Sequence, residues 1–308
     1  MTTRHEIVSI EHGPYRLELC PKGGGCITAF RYDAIDLLRP ATDEYWQTYE
    51  PRAAGSFPLV PFSNRIADGR AVFEGETYQF PINMPPEPHS IHGDGWKAAW
   101  TVENAGPARA ILVHAPSDTP FPYAAKQIFE LSDEGLVASL EITNTGERRI
   151  PAGFGHHPYF PRTDDLTLEM ALPEVWLPDE RHLPVRKEPV PEAWDFSTPK
   201  RLAPLVELDH DFTGGEVRAV LQWPKAGIRL SIDTDPIFRH MVVFVPPGRD
   251  YVCVEPVSHV GNAVNLAADG RADTGIETLE PGETLEGAMT FRAAVGARRL
   301  SPIADRAR

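Results

Sequence analysis

Gln127-Ile128-Phe129-Glu130-Leu131 and Leu136-Val137-Ala138-Ser139-Leu140-Glu141-Ile142 flank the polar segment Asp133-Glu134-Gly135. In the second run the apolar residues Leu136, Ala138, Leu140 and Ile142 fall on every other position, the signature of a half-buried strand. Asp-Glu-Gly between two such runs is a turn signal, so the segment reads as a hairpin. The pattern repeats outward in both directions. Tyr15-Arg16-Leu17-Glu18-Leu19, Leu166-Thr167-Leu168-Glu169-Met170 and Ile228-Arg229-Leu230-Ser231-Ile232 alternate in the same way, and 109–114, 217–223, 241–245 and 288–293 also read as strands. Asn144-Thr145-Gly146, Thr213-Gly214-Gly215, Pro247-Gly248-Arg249-Asp250 and Pro281-Gly282-Glu283 supply further turns. Thirty-one prolines suit loops and strand edges and would break a helical protein. No helical-period segment of three turns with caps is found. The expectation is an all-β chain, a large antiparallel β-sandwich.

Length and composition narrow the class. A chain of 308 residues is long for one domain, yet all-β domains reach this size. Residues 1–296 read as a single domain and 297–308 as a weakly ordered tail. Two stretches, 81–92 and 173–204, lack alternation and read as long loops, and the Asp-bearing segment 208–212 reads as a loop as well. The formal net charge of −14 repels phosphate backbones and anionic membranes, which argues against nucleic acid and membrane partners and favours a small molecule. Cys20, Cys26 and Cys253 have no Cys-x-x-Cys spacing, and an odd number of cysteines fits a disulfide framework poorly; Cys253 reads as a buried thiol. Residues 1–13 show no long apolar stretch and no segment approaches the length of a membrane span, so the expected compartment is the cytoplasm. Nothing in the sequence indicates an oligomeric state.

Three short stretches carry proton-handling side chains: Ile91-His92-Gly93-Asp94-Gly95-Trp96, Gly155-His156-His157-Pro158-Tyr159-Phe160 and Tyr251-Val252-Cys253-Val254-Glu255-Pro256. In the third, alternation puts Tyr251, Cys253 and Glu255 on one strand face. A carboxylate ending so apolar a strand reads as a general base whose pKa burial raises, or as a member of a structural ion pair. In the second, His157 and Tyr159 share a face and His156 takes the other; His157 reads as a proton donor, or as a buried histidine bonded to a backbone carbonyl. Gly93 and Gly95 around His92 are expected to let the backbone approach a ligand, and the Trp96 indole to offer a platform for the C–H face of a sugar. Asn64 and Arg65 offer amide and guanidinium donors. Asp209 reads as an acceptor of two hydroxyl hydrogen bonds, or as an Asx turn. A histidine that gives a proton and a carboxylate that takes one are the minimum for reversible opening of a cyclic sugar. That chemistry requires the two groups to face each other across a pocket of pyranose size. The spacings His89/His92 and His156/His157 do not place two ligands together on a strand face, so no metal is expected, although separate loops can also assemble such a site. No phosphate-binding loop, nucleophile elbow or dinucleotide fingerprint is found, so no cofactor is expected.

These residues resemble the aldose 1-epimerase (galactose mutarotase) family, in order and over nearly the whole chain. Asn64-Arg65-Ile66 with Gly69 is similar to its Asn-Arg-Ile segment, Ile91-His92-Gly93 to its His-Gly segment, and His157-Pro158-Tyr159-Phe160 to its His-x-Tyr-Phe segment. Leu208-Asp209-His210-Asp211-Phe212 is similar to its Asp-containing loop and Val254-Glu255-Pro256 to its glutamate strand, with Asn262 and Asn265 where a trailing asparagine is usual. The resemblance implies the family's antiparallel supersandwich and an isomerase that interconverts α and β anomers of a free aldose. It further implies Glu255 as base, His157 as acid, and His92, Arg65 and Asp209 as substrate-positioning groups. Pro61-Phe62-Ser63, Pro161-Arg162 and Glu255-Pro256-Val257 depart from the family pattern, which leaves the sugar open. An anionic sugar is one alternative, with Arg162 or Arg239 as the extra pocket arginine; a sugar-binding module without catalysis is another.

Overall fold

The computed structural model describes residues 6–204 and 207–296, so the 297–308 tail lies outside the described residues. Two large antiparallel sheets dominate it. The nine-stranded sheet contains the hairpin Tyr123–Ser132 and Gly135–Asn144, flanked by Arg109–His114 on one side and by the long central strand Thr284–Val295 on the other, with Ile228–Thr234 and Arg218–Trp223 beyond. The eight-stranded sheet runs Pro184–Pro189, Glu174–Pro178, Leu208–Thr213, His240–Val245, Tyr251–Val257, Gly155–His156 and Pro58–Leu59, and Tyr159–Pro161 also pairs with Tyr251–Val257. A four-stranded sheet from Val8–His12 to Ile35–Asp36 packs alongside.

Alternation decides what each face does. Leu136, Ala138, Leu140 and Ile142 point inward and are buried, as the period-two pattern requires. Met241, Val243, Val245, Val252 and Val254 of the eight-stranded sheet join them in one apolar core that extends from Ile10 to Phe291. Each such side chain contributes about 1.5–3 kcal/mol by leaving water. The intersheet seam is closed by contacts such as Phe129 against His156, ring centroids 6.2 Å apart. The three cysteines are buried and free. Among the described residues helix is confined to short pieces, the longest being Asp43–Thr48 and Ala263–Ala268. No described helix is long and apolar enough to cross a membrane.

Two loop expectations are corrected. The 173–204 stretch contains the strands Glu174–Pro178 and Pro184–Pro189, which pair with each other and extend the eight-stranded sheet to its edge. Prolines at 178, 184 and 189 hide the alternation there and are tolerated at a sheet edge. Asp209 likewise lies within the strand Leu208–Thr213, not in a loop. The 81–92 stretch is irregular up to the short strand Ser90–Ile91, as expected.

Candidate active site

The strand Tyr251–Val257 divides its side chains between two environments. Val252 and Val254 enter the intersheet core, while Tyr251 and Glu255 line a cavity of about 510 Å³ on the opposite face, with Cys253 buried between them. Pairing register builds the floor. Glu255 is opposite Val242, and Val242 is opposite Asp211; Cys253 is opposite both Tyr159 and Phe244, and Phe244 is opposite Asp209. Carboxylates distant in sequence are thus brought into neighbouring rows by the sheet itself. The volume falls within the roughly 300–1,000 Å³ of small-molecule sites.

His157 enters the same cavity from the turn after Gly155–His156. Its backbone N–H donates to the Phe57 carbonyl at 3.0 Å. Its ring stacks on Tyr159 (centroids 4.8 Å, interplanar angle 15°) and lies against Phe57 at 4.6 Å, so two aromatic faces fix its plane. His156 turns the other way into the core, as alternation predicts. His157 Nε2 lies 3.3 Å from Glu255 Oε1, with the two residues 8 % and 3 % exposed. The sequence reading required these groups to face each other across a sugar-sized gap. They converge on one cavity but stand side by side on its wall, because the register that sets Tyr159 opposite Cys253 carries His157 next to Glu255.

Burial dominates the electrostatics. It raises the Glu255 carboxyl well above the ordinary carboxylate range, and the nearby Asp209 and Asp211 raise it further against the opposing pull of Arg65. Burial likewise pushes His157 well below its ordinary pKa, with Arg39 and Arg52 acting in the same direction. Both effects favour the uncharged partners. The contact between them adds a second possibility, since a carboxylic acid beside a neutral imidazole and a carboxylate beside an imidazolium hold the same protons. One proton moving between touching atoms converts one form to the other.

The surrounding groups are held from behind. His92 Nδ1 accepts from the Asn64 backbone N–H at 3.1 Å, which leaves Nε2–H as the donor of the neutral ring. Burial, followed by His157, Arg65 and Arg52, holds His92 well below its ordinary pKa, so it is neutral. Asn83 clamps the His92 turn, donating to the Ile91 and Gly93 carbonyls and accepting from the Ile91 N–H. Arg65 donates to Asn64 Oδ1 at 3.2 Å and pairs with Glu87 at 3.5 Å. The Asn262 N–H donates to the Arg65 carbonyl, the Asn262 side chain accepts from Ala67 N–H, and Asn265 binds Val72 and Arg70. The trailing asparagines therefore brace the Asn64-Arg65 segment.

Three sequence expectations change here. Trp96 borders the cavity but is 0 % exposed, packed against Phe57 and His92 with its Nε1–H on the Gly93 carbonyl. It supports the wall and presents no open stacking face. Gly93 approaches its own chain and not a ligand: a Cβ there would meet the Val60 carbonyl at 2.1 Å, and its φ is +71°. Arg162 and Arg239 do not line the cavity; Arg162 donates to the Pro246 carbonyl and Arg239 pairs with Glu277. Among the described residues the lining arginines are Arg39, Arg52, Arg65 and Arg249. Arg39, which the sequence reading missed, lies over the rings of Tyr159 and Tyr251 at 4.1 and 4.6 Å. No local pattern marks it, since it comes from a segment without alternation.

His157, Cys253 and Glu255 bring ligand atoms within 4.8 Å of one another. Burial raises the Cys253 thiol well above its ordinary pKa, which disfavours the thiolate that a metal requires. The donor set therefore suits proton transfer better than coordination.

The aldose 1-epimerase family model matches residues 6–292. The protein YphB of Escherichia coli K12, whose function is uncharacterised, is 30% identical over 294 residues, covering 93% of this chain and 98% of that one. A protein of Escherichia coli K12 crystallised as a candidate aldose 1-epimerase superposes with a TM-score of 0.87 at 29% identity, covering 94% of this chain and 99% of that one. A galactose mutarotase-like protein of Clostridium acetobutylicum superposes with a TM-score of 0.86 at 21% identity, covering 96% and 97%, which speaks for the shared fold. With the family match spanning nearly all of its residues, this chain belongs to the aldose 1-epimerase family.

Proposed function

We propose that the protein interconverts the α and β anomers of a free aldose by acid–base opening and reclosure of the ring. The observation that carries this reading is the 3.3 Å contact between His157 Nε2 and Glu255 Oε1 on the wall of a cavity of sugar-site size. In the charged form of the pair, the Glu255 carboxylate takes the proton from the anomeric hydroxyl and the His157 imidazolium gives its Nε2 proton to the ring oxygen. The C1–O5 bond breaks and C1 becomes an aldehyde. Rotation about C1–C2 presents the other carbonyl face. Neutral His157 then takes the proton back from the O5 hydroxyl while the Glu255 carboxyl protonates the carbonyl oxygen as O5 attacks C1.

Burial serves this cycle. Ring opening turns two charges into two neutral groups, the state that desolvation favours, and no proton need come from solvent. General acid–base assistance of this kind supplies roughly 100- to 10,000-fold per group. The His92 Nε2–H, Asn64, Arg65 and Asp209 face the same cavity and are the proposed hydroxyl partners that hold the ring against the pair.

A second reading concerns the substrate alone. Arg39 and Arg249 line the cavity and form no ion pair with a carboxylate among the described residues, which suits an aldose carrying an anionic group. A polarimetry panel decides between the two: freshly dissolved α-anomers of neutral aldoses and of phosphorylated, sulfonated and carboxylated sugars, each with and without protein. Faster relaxation for at least one sugar is the expected result, and its charge selects the reading. Sugar binding without any acceleration would leave a non-catalytic binding module in place of the enzyme.

A further inference from the structure

Behind the wall formed by Asn64, Arg65 and Asp209 lies a second, smaller cavity of about 20 Å³, also bordered by Trp176, His182 and Asp211. Three buried polar atoms on its lining residues have no hydrogen-bond partner among the described residues: Trp176 Nε1, Arg65 Nε and Asp211 Oδ1. Trp176 is 1 % exposed and Asp211 5 %. Arg65 Nε reaches Glu87 at 3.5 Å as an ion pair, without hydrogen-bond geometry. Buried polar groups in folded proteins are almost always satisfied, by protein or by ordered water. About 10–15 Å³ suffices to hold one water that has two to four polar partners.

We propose that this cavity is a water site, and that Asp211, joined through that water to Trp176 and Arg65, is a positioning residue for the reaction at Glu255. The donor and acceptor count matches. Trp176 Nε1–H and Arg65 Nε–H are donors only, so they address the two lone pairs of the water, whose O–H then points to Asp211 Oδ1. Two consequences follow from the placement. The water fixes the rear of the Arg65 guanidinium, whose front belongs to the sugar cavity. Asp211 also stands in the cross-strand row Asp211–Val242–Glu255, on the face that carries the reacting pair. The groups that face it are Asp209 on its own strand and Arg65, His182 and Glu255 from neighbouring segments, while His210 borders the cavity but turns its ring to Trp194 on the other face. Burial and Asp209 raise its carboxyl to about 7, so its charge changes near neutrality beside the base.

The assignment of the water does not depend on the proposed reaction, but the role of Asp211 rests on it, and the experiments separate the two. A high-resolution crystal structure should show ordered density within hydrogen-bond distance of Trp176 Nε1, Arg65 Nε and Asp211 Oδ1, and Trp176→Phe should weaken or remove it. A dry cavity in the unmodified protein overturns the water site, whatever the enzyme does. With a sugar that the protein turns over, kcat/KM against pH should carry a step near pH 7 that Asp211→Asn removes, and Trp176→Phe should raise KM several-fold through Arg65 with a smaller effect on kcat. Superimposable pH profiles for the unmodified protein and Asp211→Asn overturn the role of Asp211 even if the water is present. Absence of turnover for every sugar overturns the proposed reaction, and with it that role, and leaves the water to the density.

Discussion

Two concavities of nearly equal size lie on the two large sheets, and their chemistry differs. The cavity on the eight-stranded sheet measures about 510 Å³ and the groove on the nine-stranded sheet about 460 Å³. The groove is lined by Arg218, Arg229, Asp233 and Arg292, among others, and by no histidine among the described residues. Its Asp233 is clamped by two guanidiniums, with Arg218 at 2.7 Å and Arg292 on the other oxygen. A carboxylate neutralised in this way on an open sheet face is a salt-bridge ladder, with nothing to exchange a proton with. In the cavity, Glu255 touches an imidazole and no guanidinium lies within ion-pair distance of it among the described residues. The difference shows that volume does not mark a site; a buried acid–base contact opening onto that volume does.

The largest expected effect comes from taking the imidazole out of this contrast. His157→Asn should reduce the protein-dependent polarimetric rate by roughly 100- to 10,000-fold, with sugar binding by calorimetry changed far less. A smaller effect is expected from the groups assigned to hold the ring. Asp209→Asn and His92→Gln should each raise KM about ten-fold, the equivalent of one lost hydrogen bond of about 1.4 kcal/mol, with kcat reduced less than in His157→Asn. A collapse of kcat at unchanged KM would move these residues from binding to chemistry. The smallest effect belongs to the groove. Asp233→Asn should leave the polarimetric rate unchanged and cost at most about 1 kcal/mol in a denaturant titration, as for other surface ion pairs. A lost rate there would show that the contrast between the two concavities is drawn wrongly.

The two regions also differed in how far they could be read from sequence. The nine-stranded sheet was legible because alternation is local: 109–114 matches a strand to the residue, and the hairpin around Asp133-Glu134-Gly135 differs only by longer strands. The cavity was legible in its members but not in its geometry. His157, Glu255, His92, Asn64, Arg65 and Asp209 all reach it. The contact between His157 and Glu255, however, depends on which residues pair across strands, and pairing between segments almost a hundred residues apart leaves no local trace. Asp211 was missed for the same reason, and Arg39 because its segment has no alternation to mark it. Asp211 was in plain view beside Asp209, but only the row through Val242 shows that it faces Glu255. The 173–204 strands were hidden by their prolines. Trp96 and Gly93 were misjudged because a residue type suited to a ligand is equally suited to tight packing against its own chain.

Everything in the proposed mechanism depends on the touching imidazole and carboxylate acting as one proton-exchanging unit. The most direct test compares the polarimetric relaxation rates of Glu255→Gln, His157→Asn and the double variant on one sugar, with binding measured in parallel. Each single change is expected to collapse the rate while the sugar still binds, and the double variant should be scarcely slower than either single one. Retention of most of the rate by Glu255→Gln, or losses that multiply in the double variant, would contradict that mechanism.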